Sequence, residues 1–153
     1  MLKLIRQKRR TWKKLSPKAI SLFLQAMFLL PLVALFLSVF GLQFTQAALK
    51  SLSSGKFTEP SLAQVPQIRQ TIQMVRIATR YQQRWVSCLK KSLVLWYLLR
   101  RQGVAAELQI GVRIKTGVFQ AHAWVQYQGY ILGDRQNIQQ DYTSFNSLNS
   151  QLS

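Results

Sequence analysis

Cysteine occurs once in this chain of 153 residues, histidine once, and acidic residues only four times. A single cysteine excludes an intramolecular disulfide framework and fits a reducing compartment. It also excludes a cysteine-rich zinc site. One histidine and four acids leave too few ligands for an all-protein metal site, so no metal is expected. Proline is scarce at four residues, which makes Pro31, inside a long apolar run, conspicuous.

Positive charge is abundant. Twenty-one Lys and Arg give a formal net charge of +17, which attracts a lipid surface, nucleic acid or an acidic peptide. The cations are spread along the chain, so a generally basic surface without a dedicated partner is the bland alternative. No zinc pattern and no stacking motif of strand aromatics accompany the charge, so nucleic acid is not an expected partner.

Residues 1–49 combine a basic segment, Lys3 to Lys18, with a run from Ala19 to Ala48 that carries no charge. Basic residues interleaved with apolar ones read as membrane-surface or partner-binding sequence. The run itself has three readings. It exceeds the roughly 20 residues that span a bilayer. It follows a basic segment, as a signal sequence does, with Thr45-Gln46-Ala47 as a poor cleavage site. Or it is one helix kinked near Pro31, or two meeting there, packed on the protein or half-buried in a membrane surface. Basic residues before a single span would export everything after it, where a free reactive thiol is less at home. The expected location is the cytoplasm, with membrane association through residues 19–48.

Residues 50–65 read as a linker, with turn formers at Ser51, Ser53, Ser54, Gly55, Pro60 and Ser61. The core is expected over residues 66–140. An amphipathic helix covers Pro66–Tyr81, with Ile68, Ile72, Val75 and Thr79 on one face and Arg69, Arg76 and Arg80 in water. A second helix begins at Cys88, where Leu89, Leu93, Trp96 and Leu99 fall at helical spacing. Arg100, Arg101 and Gly103 end it. Cys88 thus lies in a first helical turn, whose exposed N–H groups and dipole favour an anion. A lone cysteine also reads as a buried structural residue, and a lone histidine as a satisfied core residue.

After Gly103 the apolar period becomes two. Val104, Ala106, Leu108, Ile110, Val112 and Ile114 share one face of a strand. Thr116-Gly117 is a turn, and Val118–Tyr127 is a second strand. Its apolar face holds Phe119, Ala121, Ala123, Val125 and Tyr127; its other face holds Gln120, His122, Trp124 and Gln126. A third strand starts at Tyr130. Two hairpin registers compete. A two-residue loop at Gln128-Gly129 sets His122 opposite residue 135 and turns Asp134 to the wrong face. A three-residue loop ending on Gly129 sets His122 opposite Asp134, and the glycine favours that one. Residues 141–153 form a polar tail, with Asp141, Tyr142 and Phe145 as last contacts and fraying expected.

The ordered motifs Cys88 at a helix start, Leu98-Leu99-Arg100-Arg101-Gln102-Gly103, Ile110-Gly111-Val112-Arg113, Ala121-His122-Ala123-Trp124-Val125 and Gly133-Asp134 are familiar. Together they resemble the transglutaminase-like cysteine peptidase of lasso-peptide biosynthesis B proteins, the family of the microcin-processing protein. The resemblance runs from about Val65 to Asp134. Trp12-Lys13-Lys14-Leu15-Ser16-Pro17 and the apolar run also resemble the N-terminal region of stand-alone members.

The resemblance implies an α+β fold: an N-terminal helical segment, then a papain-like core with a nucleophile helix packed on a small antiparallel sheet. It implies Cys88 as nucleophile, His122 as general base and acid, and Asp134 as the group that orients the imidazole. The substrate would be a ribosomally made precursor peptide cut between leader and core. Fused members carry a leader-recognition domain before the peptidase, and no such pattern precedes residue 65. The implied form is therefore the split, peptidase-only one, working with a separate leader-recognition protein and an asparagine-synthetase-like cyclase. Leader removal in the family is associated with ATP. No phosphate-binding glycine loop is present, so this chain is expected to bind no cofactor and the nucleotide would belong to the cyclase. Trp85, Arg113 and Trp124 are candidate liners of a peptide groove. The competing function is a membrane-associated, non-enzymatic adaptor of a peptide-maturation complex.

Overall fold

A computed structural model of the chain describes residues 16–144. The basic segment up to residue 15, and Phe145 with the rest of the tail, lie outside the described residues. The fold is α+β: helices are followed by a four-stranded sheet.

Helix α1 spans Pro17–Leu52. Ser16 caps it, its side chain accepting from Ala19 N at 3.3 Å, and Pro17 occupies the first turn, where no N–H bond is lost. The helix runs through Pro31. Its one break is at Gly41, with φ 76° and ψ 179°. The expected kink at Pro31 is thus displaced by ten residues, because a left-handed φ is open to glycine and Pro31 already has the φ a helix needs. Thr45 Oγ1 donates to the Gly41 carbonyl at 2.7 Å, recovering a bond at the break. One face, with Ala19, Leu22, Ala26, Leu30 and Val33, is buried.

A short 3₁₀ turn, Leu62–Gln64, leads into α2, Val65–Tyr81. Helix α2 follows the first half of α1: Gln70 Nε2 donates to Ser16 Oγ, the rings of Phe23 and Tyr81 meet edge to face at 6.0 Å, and Gln82 Nε2 donates to Met27 O. Helix α3, Cys88–Arg101, follows the second half, where Arg100 Nε donates to Ser53 Oγ. Every residue from Ser92 to Leu99 is buried, so α3 is the central element, enclosed by α1, α2 and the sheet.

The sheet has the order β3-β2-β1-β4. Strands β1, Glu107–Lys115, and β2, Val118–Tyr127, pair antiparallel through a two-residue turn in which Thr116 and Gly117 both have positive φ. Strand β3, Tyr130–Leu132, pairs Tyr127 with Tyr130. Gln128 and Gly129 have φ 52° and 79°, as a two-residue hairpin turn of the I′ type requires. The three-residue register that Gly129 favoured in the sequence is therefore corrected: glycine suits the second place of the shorter turn equally well. Gln136 closes the outer edge of β3, its Nε2 donating to Ile131 O and its Oε1 accepting from Ile131 N.

Val125 and Leu108 join α3 in the main core. The opposite sheet face is covered as well. Trp124, Ile131 and Ile138 form a second cluster with Tyr142, built by the short helix α4, Ile138–Asp141, and by β4, Thr143–Ser144. Strand β4 pairs with Gly111 and Val112. Residues 141–144, expected to fray, instead end α4 at Asp141 and supply the fourth strand at Thr143–Ser144. Their polar side chains hide this because the pairing is made by backbone.

Candidate active site

Cys88 opens α3. Ser87 is its N-cap, the side chain accepting from Lys90 N at 3.5 Å, so the Cys88 backbone N–H is among those that a helix leaves without an internal partner. The thiol is partly buried, and it makes no hydrogen bond among the described residues.

His122 sits on β2 and Asp134 two residues beyond β3. Nε2 of His122 lies 2.9 Å from Asp134 Oδ2, with both side chains about a fifth exposed. A carboxylate only accepts, so Nε2 carries the hydrogen, and in the neutral ring Nδ1 is then the nitrogen with the lone pair. The pairing defies strand alternation, since this register sets His122 opposite residue 135. It is reached because β3 ends at Leu132 and Gly133, at φ 73°, turns the chain out of the strand. Asp134 is thereby freed from the sheet's up-and-down order. A side chain at 133 would also press on Leu95 Cδ2, 3.1 Å from an added Cβ.

Two contacts tie the cysteine helix to this pair. Ser92, one turn after Cys88, donates from its buried Oγ to Ala123 O at 2.9 Å, beside His122. Lys91 Nζ donates to Gly133 O at 3.1 Å and stands 4.0 Å from Asp134 Oδ2. The structure thus joins His122 and Asp134 directly. It holds the Cys88 helix against their strands without bonding the thiol to the imidazole.

Sequence reasoning missed Lys91, Ser92 and Tyr142. The Tyr142 ring lies 5.4 Å from the His122 ring. Lys91 and Ser92 follow Cys88 by three and four residues, the helical spacing of one face, which was a usable signal. Tyr142 is legible only as a last contact of the tail, because it lies in a stretch too polar to suggest a core.

The three groove candidates fall differently. Trp85 is 75 % exposed and lines a cleft of about 300 Å³ with Leu30, Pro31 and Ala34. Arg113 donates from Nε to Gln120 Oε1 at 2.8 Å and lies at 4.4 Å over the ring of Tyr142, the residue that meets His122. Trp124 lines a cleft of about 590 Å³ with Gln109, Gln126, Gln139 and Tyr142. This tryptophan is 2 % exposed, clamped between Gly111 and the α4–β4 segment, and packs against the His122 ring at 6.3 Å. A larger groove of about 650 Å³ opens between α2 and the β2–β3 hairpin, with Leu62, Ile68, Arg69, Tyr130 and Leu132 on its walls. Among the described residues no three His, Cys, Asp or Glu gather as a metal site needs.

A buried central helix that opens on cysteine, packed on an antiparallel sheet that carries a His–Asp pair, is the architecture of the transglutaminase-like class. The profile of the transglutaminase-like superfamily matches residues 26–149, and the chain belongs to that superfamily. The match begins inside α1 and includes α4 and β4. Comparison with curated proteins and with solved structures finds no match.

Proposed function

We propose that this chain is a cytoplasmic cysteine peptidase that removes the leader from a ribosomally made lasso-peptide precursor. One observation carries the reading. The only histidine is held by Asp134 at 2.9 Å, on the strand to which Ser92 fastens the cysteine helix. The ordered motifs shared with lasso-peptide B proteins supply the substrate class.

The chemistry follows from the pair. Nδ1 of His122 takes the proton from Cys88 Sγ as the thiolate attacks the scissile carbonyl. The Cys88 backbone N–H donates to the oxyanion that forms. The tetrahedral intermediate collapses, the C–N bond breaks, and the imidazolium gives its proton to the departing amine of the core peptide. Water, deprotonated by the same nitrogen, then attacks the thioester. The leader leaves with a new carboxylate, and the thiol recovers its proton. Asp134 keeps the imidazole in the tautomer that both halves need. The mechanism requires the thiol–imidazole bond to close when substrate binds, as catalytic hydrogen bonds that are long in the free enzyme often do in the Michaelis complex. The groove beside α2 offers room for the peptide, with Leu132 on its wall two residues from Asp134. A separate leader-recognition protein would deliver the precursor. An asparagine-synthetase-like cyclase, the user of ATP, would take the freed amine.

The second reading is a non-enzymatic adaptor on a membrane. The unbonded Cys88 thiol favours it.

The test is cleavage of the cognate precursor followed by mass spectrometry, with the recognition protein present and Cys88→Ala and His122→Ala in parallel. Cleavage by wild type alone supports the peptidase. Equal cleavage by Cys88→Ala, or none by any form with cyclase and ATP added, leaves the adaptor.

A further inference from the structure

Helix α1 is apolar on both sides. Its inner face is buried on α2 and α3. Its outer face carries a row at helical spacing: Leu24 is 60 % exposed, Phe28 71 %, Leu35 59 % and Val39 62 %. Ile20 precedes the row, Phe40 adds to it just before the Gly41 break, and Phe44 lies beyond the break. From Ile20 to Val39 it runs about 29 Å at the helical rise. A contiguous apolar strip of this kind marks a surface that something covers.

We propose that this strip lies in the plane of an anionic membrane surface, half-sunk among the acyl chains, while the rest of the domain stays in water. Charge says what covers it. Neither α1 nor α2 contains an acidic residue, and Arg69, Arg76 and Arg80 are exposed on α2, the helix packed against the inner face of α1. Lys18 and Lys50 are exposed at the two ends of α1. The chain leads into the strip through residues 1–15, which hold seven cations and no acid. Apolar side chains edged by Lys and Arg suit lipid headgroups bearing negative charge.

Packing chooses between lying on the membrane and crossing it. The α1 segment is one helix long and apolar enough to span. Crossing would draw α2, fixed to it through Ser16–Gln70, Phe23–Tyr81 and Met27–Gln82, into hydrocarbon together with its arginines. An in-plane helix keeps those contacts and wets the arginines. This inference does not depend on peptidase activity, and its readout involves no cleavage.

The experiment is vesicle flotation with the full-length protein. Vesicles of phosphatidylcholine alone are compared with vesicles containing about 30 % phosphatidylglycerol, whose negative surface attracts Lys and Arg. Wild type is expected to float at least tenfold more with the anionic vesicles, to be released by raised salt, and to come off under alkaline carbonate. Leu24→Gln combined with Phe28→Gln and Leu35→Gln is expected to stay in the soluble fraction with unchanged far-ultraviolet circular dichroism, because these side chains touch no core. Failure of wild type to bind, or equal binding to neutral vesicles, overturns the proposal. So does retention after carbonate, which would make α1 a span. A vesicle-free dimer that the triple variant dissolves would assign the strip to a second copy of the chain and overturn it as well.

Discussion

Asp134 reaches His122 from the wrong side of a strand register. Tyr127 pairs with Tyr130, which would set the histidine opposite residue 135, yet Nε2 and Oδ2 are 2.9 Å apart. The pair exists because the third strand is only three residues long. The acid is aimed by a turn, and that makes the site sensitive to changes that leave its three candidate residues untouched.

The first expectation concerns the acid itself. Asp134→Asn is nearly the same size but can present an amide N–H to Nε2, which then accepts and moves the ring hydrogen to Nδ1. The base for the thiol is lost. Precursor cleavage should fall about 10²- to 10⁴-fold, by analogy with the wrong-tautomer effect in serine proteases. Thermal stability should stay close to wild type, since the side chain is partly exposed. Loss of folding instead of rate would show that Asp134 is structural.

Gly133→Val should separate the turn from the acid. A β-branched residue at φ 73° is strained by about 1–3 kcal/mol, and its Cβ would meet Leu95 Cδ2. Urea denaturation should show that loss. Gly133→Asn should lose less, because asparagine tolerates left-handed backbone better. If both variants cleave the precursor at the wild-type rate, the turn does not aim Asp134.

Ser92→Ala removes the hydroxyl that ties α3 to β2 beside the site. The Ala123 carbonyl would be left unpaired in a buried setting, which costs about 1–3 kcal/mol. Cleavage should fall further than stability predicts, because the bond fixes the distance between the Cys88 helix and His122. Ser92→Thr keeps the hydroxyl and should recover part of the rate.

Lys91→Met tests the cation near Asp134. At 4.0 Å and partly exposed, the ion pair is worth up to about 1 kcal/mol, or roughly a fivefold change in rate. The difference from wild type should shrink as salt is raised. A difference that ignores ionic strength would point to the hydrogen bond to Gly133 O instead.

These contacts also show what sequence could and could not disclose. The α3 period, its Gly103 stop and the alternation in β1 and β2 are local patterns, and they located Cys88 and His122 on their elements. The hairpin register was not local: Gly129 fits either loop, and only Gln128 taking a positive φ as well selects the shorter one. Pro31 drew the kink to itself, although Gln82 Nε2 donates to the Met27 carbonyl that the proline leaves without its helical partner, whereas Gly41 carried no visible mark. Trp124 lay on the polar face by alternation. Its burial depends on α4 and β4, in which Ile138 is the one apolar residue beside Gln139, Gln140, Asp141, Thr143 and Ser144. Backbone pairing by such residues leaves no hydrophobic period to read.

The same cluster yields the most discriminating expectation. Gly111 pairs with His122 across the strands, and a Cβ there would stand 2.8 Å from Trp124 Cη2 and 3.0 Å from Thr143 O. Gly111→Ala must therefore push Trp124, which lies against the His122 ring. Overpacking of this kind costs about 1–3 kcal/mol, and here the displacement is passed to the imidazole, so cleavage should fall as well. Trp124→Phe alone opens space and should also destabilise. Combined, the two changes relieve each other, and the double variant should lose less than the sum of the singles. Strict additivity in denaturation would mean that Gly111 is small on account of Thr143 and β4 instead. If stability shows the coupling but cleavage does not, Trp124 supports the fold without setting the position of His122.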